Sequence, residues 1–173
     1  MKAVTSHPII DSVLNRYERL LGADFATYRN HVYRSFNYHQ LLFGASLPDT
    51  AALAWAVHDL GIWTEASFDY LTPSADLASK HAAEFGIADT EHARIMISQH
   101  HKLRPTHDRL TEMFRLADMI DVSHSLLGDR IGRRDVKATV SQLPYLGFHA
   151  FLAKGLIRYA LRHPLHPLPM LRW

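Results

Sequence analysis

The sequence predicts an all-α protein built as a compact bundle of about seven helices. Three observations carry that expectation. Apolar residues recur at spacings of three and four along most of the chain. No period-two run of β-branched residues stands out. Gly, Pro and small polar residues fall where the periodic stretches stop and start.

In order, Pro8 opens a helix through Ile9, Val13, Tyr17 and Leu20 that ends at Gly22. Asp24 is placed to cap a longer helix, on which Tyr28, His31, Ser35, Tyr38 and Leu42 form one stripe before Gly44 ends it. Pro48 and Asp49 open an apolar helix, AALAWAVHDLG, expected to run to a stop at Gly61 with His58 and Asp59 in its last buried turn. GIWTEASFDYLTPS has no clean period and reads as an ordered loop or short turns folded over that helix end. A helix from Ser74 or Asp76 to Gly86 follows, then EHARIMISQHH capped by Asp89 or Thr90. Thr106 begins a long segment, apolar at Leu110, Met113, Phe114, Ala117 and Ile120, that runs out near Gly128. GDRIGRRD, charged and glycine-punctuated, reads as a surface connector, and a last helix covers roughly Leu146 to Leu161. Pro164, Pro167 and Pro169 exclude a helix from the tail, whose Leu165, Leu168, Met170, Leu171 and Trp173 are too apolar to hang free. The tail is expected to pack on the domain or on a second copy, which makes a homodimer the partner it points to.

A chain of 173 residues, 47% of them apolar, can bury a full core and is most simply one domain over 1–173, with the last helix and tail (143–173) packed on the remainder. Nineteen basic against 17 acidic residues is near balance, and no basic stripe interleaves with aromatics, so no nucleic-acid polymer is expected as partner. No run is apolar enough to cross a bilayer, and no membrane partner is expected. The absence of cysteine excludes disulfides, thiolate metal sites and a cysteine nucleophile. With no signal-peptide hydrophobic region near the start, a cytoplasmic location is the expectation. The compositional anomaly is 13 histidines, which biases the chain towards nitrogen and oxygen metal chemistry.

Four residues make the sharp hypothesis: His31, His58, Asp59 and Asp118. A buried imidazole and carboxylate side by side are costly unless compensated. Two imidazoles and two carboxylates suit a divalent transition ion (Zn, Fe, Mn, Ni or Co), about one per chain, with positions left for water and a small-molecule substrate. His100 or His101 is the proton shuttle in this reading, and Glu65 a general-base candidate if its loop folds back. Arg34, Lys102 and Arg104 are candidates to hold an anionic group, the alternative for Arg34 being a structural salt bridge. Asp121, a turn after Asp118, is placed to orient a ligand imidazole.

The order of His31, His58-Asp59 in AVHDLG and Asp118 in FRLADMID resembles the HD-domain metal-dependent hydrolase superfamily, and SQHHKLR falls where that superfamily carries a His-His pair. The resemblance covers roughly residues 24–128 and implies a compact helical domain with one or two divalent metals. Its members are most often nucleotide phosphohydrolases. NHVYRSFNY is similar to the cyanamide hydratase-like branch, which adds water to a nitrile-type carbon. The chain departs from binuclear members, including the di-iron oxygenases, where Leu71-Thr72-Pro73-Ser74 replaces a further histidine, and His81 lies too far on to take that place. The expected activity is addition of metal-activated water to a small substrate, as a hydrolase or a hydratase, with a nitrile-type compound one candidate and the choice between carbon and phosphorus open because the metal ligands are common to both. Its rivals are nucleotide phosphohydrolysis, di-iron oxygenation and a non-catalytic binding protein.

Overall fold

A computed structural model describes residues 2–127 and 130–171 and has an all-α fold. The helices are α1 (Pro8–Leu21), α2 (Phe25–Phe43), α3 (Asp49–Val57), α4 (Gly61–Thr64), α5 (Leu71–Ala82), α6 (Thr90–Gln99), α7 (Arg109–Val122), α8 (Arg133–Gln142) and α9 (Phe148–Arg162). Single 3-10 turns follow α1 and α5. The seven expected helices are all present; the one-turn α4 and α8 are additional. Part of the expected connector, together with Trp173, lies outside the described residues.

The chain winds around α2 and α3. Every residue of α3 from Ala51 to Val57 is fully buried, as a continuous apolar run should be. α2 is buried just as deeply, yet six of its ten consecutive buried residues from Asn30 to His39 are polar. Burial of such groups is tolerable only with partners. Asn37 bonds both the N–H and the C=O of Val4 at 2.8 Å, tying the first residues to the helix. Asn30 donates to Pro144 O at 2.9 Å, tying down the turn before α9. α2 lies along α7, and α3 is packed by α1, α5 and α6. Trp55 stacks on Phe114 at 3.8 Å between ring centroids, joining α3 to α7.

Several helix ends differ from expectation. α3 stops at Val57, and residues 58–60 form a turn before α4. Gly61 is therefore not a helix stop. It opens α4 at a close approach, where a Cβ would lie 2.6 Å from Tyr70 O and 2.8 Å from Ser74 Oγ. Asp24 occupies the N-cap position of α2 without bonding its backbone; its Oδ2 accepts instead from Trp63 Nε1 at 3.0 Å. Asp89 does cap α6, and α7 is capped by Asp108, two residues after the expected start. The tail folds back through Met170, buried against Ile62, Phe68, Tyr70 and Leu71.

Candidate metal centre

His31 enters the site from the middle of α2, His58 and Asp59 from the turn after α3, His100 and His101 from the end of α6, and Asp118 from α7. The break in the α3–α4 path brings His58 and Asp59 to one point, which adjacent residues of a continuous helix do not reach easily. His31 Nε2 is 3.0 Å from His58 Nε2, 3.4 Å from Asp59 Oδ2 and 3.5 Å from Asp118 Oδ1. His58 Nε2 is 3.3 Å from Asp59 Oδ2 and 3.8 Å from Asp118 Oδ1. Four donors around one transition ion, each about 2.0–2.2 Å from it in a tetrahedron, stand about 3.4 Å apart. The observed separations match that figure.

The outer nitrogens of the rings are already committed. His58 Nδ1 donates to Trp55 O at 3.0 Å and His100 Nδ1 to Ile97 O at 2.6 Å. His31 Nδ1 donates to Asp121 Oδ2 at 2.7 Å. Each bond fixes the tautomer, so the Nε2 atoms turn lone pairs inward. The interior is thus a set of acceptors facing acceptors. Asp59 Oδ1, Asp118 Oδ1 and His100 Nε2 are buried without any hydrogen-bond partner. Such an arrangement requires a cation or protons between the groups.

The electrostatics show the same demand. Burial alone would lower His31, but the bonds to Asp121 and Asp59 and the charge of Asp118 outweigh it and raise its pKa to about 9. Burial opposes the ionised form of Asp59 too, yet His58, His100 and His31 hold it well below the usual carboxylate range. His101, by contrast, is pushed down to about 3 by burial and by His100 beside it.

Among the described residues two groups of side chains could hold a metal ion: His31, His58 and Asp118, and beside them Asp59, His100 and His101. The carboxylates straddle the two. Asp59 Oδ1 lies 3.5 Å from His100 Nε2, and Asp118 Oδ2 lies 3.8 Å from His101 Nδ1. The ligand quartet and the His-His pair expected from the sequence are thus brought together.

Other expected site residues stand elsewhere. Arg34 is fully buried: Nε and Nη2 grip Asp121 at 2.6 and 2.8 Å, and Nη1 donates to the carbonyls of Leu143 and Pro144. Its guanidinium also lies over the Tyr145 ring at 4.3 Å. It holds the orienter of His31, with four of its five N–H groups used by Asp121 and the two carbonyls. Glu65 is exposed just after α4, and no hydrogen bond or ion pair among the described residues joins it to the cluster. Arg104 is exposed, and Lys102, half-buried, contributes its carbonyl to Arg115 Nη1 rather than a charge to the site.

The residue that sequence reasoning missed is Tyr70, within the segment read as an ordered loop or short turns. Its hydroxyl meets His101 Nε2 at 2.7 Å, on the most exposed side chain of the cluster, that of His101 at 21%. Nothing in its spacing distinguishes it from the neighbouring aromatics Trp63 and Phe68. No family model matches this chain, and no curated protein or solved structure matches it.

Proposed function

We propose that the chain is an HD-type metal-dependent hydrolase or hydratase that adds water to a small uncharged substrate. The observation that carries this reading is the convergence of four buried acceptor atoms, on His31, His58, Asp59 and Asp118, at the mutual spacing of ligands to one ion. The donor set of two imidazole nitrogens and two carboxylate oxygens fits a divalent transition metal better than Mg or Ca. Such an ion supplies a nucleophilic water near neutral pH and polarises the electrophile.

The protein's own part follows from the fixed tautomers. Asp121, held by Arg34, keeps His31 in position and raises its basicity as a ligand. His100 presents a bare Nε2 to the interior and takes the proton that the attacking water loses. Tyr70 closes the solvent side and holds His101 by its Nε2. Substrate class follows from what is missing among the described residues. Phosphoryl transfer needs cations around the reacting group, and the charge of Arg34 is paired with Asp121, while Lys102 and Arg104 make no hydrogen bond or ion pair with the cluster. A compact, largely enclosed site without free cations favours a nitrile- or amide-type carbon over a nucleotide phosphate.

A second reading, with two ions, is favoured by the straddling carboxylates, since Asp59 and Asp118 each turn one oxygen to either group. One experiment decides between them. Elemental analysis of the full chain purified without added metal is expected to give about one transition ion per chain, bound mainly by the four ligands. Two ions would replace the mononuclear reading with the binuclear one. Asp118→Ala should lose metal while keeping its helical circular dichroism. Metal content unchanged in both Asp118→Ala and His58→Ala would overturn the proposal. Hydration of small nitriles, with nucleoside monophosphates left intact, is the expected activity.

A further inference from the structure

The chain carries an uneven distribution of charge. Asp135 is its last acidic residue; from Val136 onward there are five Lys and Arg and no Asp or Glu. Subtracting those five from 19 basic residues leaves 14 against 17 acids in residues 1–135, so a net acidic body bears a basic final segment. α9 dominates that segment and is poorly covered, with Phe148 its only buried residue.

Its outer face has a definite pattern. Ala150, Ile157 and Leu161 line the centre at helical spacing, with Ile157 62% and Leu161 79% exposed and Leu165 beyond the helix 99% exposed. Lys154, Arg158 and Arg162, one turn apart, run along one flank of this stripe, all exposed. The ion pairs that Lys and Arg side chains make among the described residues use Arg16, Arg29, Arg34, Arg94 and Arg115, leaving this row unneutralised. Beside the cation row, and edged by Lys154, Arg158, Arg162 and the acidic Asp24, lies a groove of about 580 Å³ between α4 and α9. Trp63 and Phe151, stacked at 5.1 Å, help to line it along with Phe68 and Tyr159. Gly155 makes room there, since a Cβ at that position would meet the Phe68 ring at 2.2 Å.

We propose that α9 docks on an anionic phospholipid bilayer, its apolar stripe in the acyl boundary, its cation row on the headgroups and the aromatic groove open to an acyl chain. An apolar helix face edged by Lys and Arg is the pattern of a helix lying in the membrane interface. Among the described residues no helix is long and apolar enough to cross a membrane, and the proposed contact is peripheral. Charge selects this occupant over a second copy: a two-fold dimer through α9 would set one cation row against its equivalent, with no acid on the helix to relieve it. The inference departs from the expectation of no membrane partner, and it is independent of the metal reading.

The test uses the full chain and sedimentation with vesicles of phosphatidylcholine alone or mixed equally with phosphatidylglycerol. Binding is expected only to the mixed vesicles and should be released by high salt. The triple variant Lys154→Gln, Arg158→Gln, Arg162→Gln should bind roughly a hundredfold more weakly. Because the chain has no cysteine, Ile157→Cys offers a single thiol for an environment-sensitive fluorophore, whose emission should shift to the blue on mixed vesicles. Equal binding to both vesicles, no binding, or binding that survives the triple substitution would each overturn the proposal. So would a stable dimer in solution that Ile157→Asp dissociates, because the face would then belong to a second copy.

Discussion

His39 and His31 are both fully buried on α2, eight residues apart, and their surroundings drive them in opposite directions. His31 faces carboxylates and is held in readiness for positive charge. His39 accepts a hydrogen bond from Trp55 Nε1 at 3.1 Å, lies among Phe43, Trp55 and Phe114, and burial pushes its pKa down to about 3. The consequence for stability has a definite sign. Below the ordinary value of 6.5 the unfolded chain gains a proton here that the folded chain refuses. The contribution of His39 is therefore complete above pH 6.5 and is lost as pH falls towards 3. His39→Asn keeps an acceptor for the indole and removes the titration. Between roughly pH 6.5 and 4.5, above the main carboxylate range, the variant should lose roughly 2 kcal/mol less than the parent chain. Urea unfolding across that window measures the difference, and parallel curves would remove His39 from the acid response.

Element ends decide whether the site exists, and Gly61 is the sharpest case. Its missing side chain allows α4 to meet the start of α5, where the Gly61 N–H also donates to Ser74 Oγ at 2.9 Å. Gly61→Ala must displace backbone at Tyr70, a cost of about 1–3 kcal/mol. A lower urea midpoint with an unchanged slope is the expected result; an unchanged midpoint would mean that the approach relaxes freely. In sequence, a glycine ending an apolar run reads equally as a helix stop or as a close contact, which is why the turn at residues 58–60 was not legible. α8 escaped for a different reason. Val136, Val140 and Leu143 do recur at helical spacing, but the stretch is short and opens on Arg133, Arg134 and Asp135, which read as a connector. The seven helices with apolar stripes were legible as elements but not at every end, since α3 stops at Val57 and α5 begins at Leu71. The convergence of His31, His58, Asp59 and Asp118 was legible too, because an imidazole or carboxylate set in an otherwise apolar stretch must find a compensating group when that stretch is buried. Arg34 was not, since a buried arginine and a substrate-facing one look alike until the partner, here Asp121, is placed in space.

At the scale of the molecule, the cluster is where α2, α6, α7 and the end of α3 meet, and each of these elements is also packed into the main core. Helices that bury apolar faces elsewhere can hold mutually repelling acceptors together, but the repulsion remains in the folded state until a cation enters. At neutral pH a proton on His31 relieves part of it, consistent with its pKa near 9, so the metal-free chain should fold and be less stable. An ion that binds only the folded state adds about 4 kcal/mol when present at a thousand times its dissociation constant. For a domain of this size that corresponds to a rise in Tm of about 8–16 °C. Chelator-treated protein should therefore melt about 10 °C below protein reloaded with Zn2+. Mg2+ should restore little, because a site half built of imidazole gives a hard ion too few oxygens. His58→Ala should abolish the Zn2+ response without unfolding the bundle, since the removed ring is one wall of the cluster and the apolar run of α3 before it is untouched. Equal melting of metal-free and Zn2+-loaded protein would mean that the convergent acceptors are satisfied by protons alone, and the metal centre would have to be abandoned while the helical core stood.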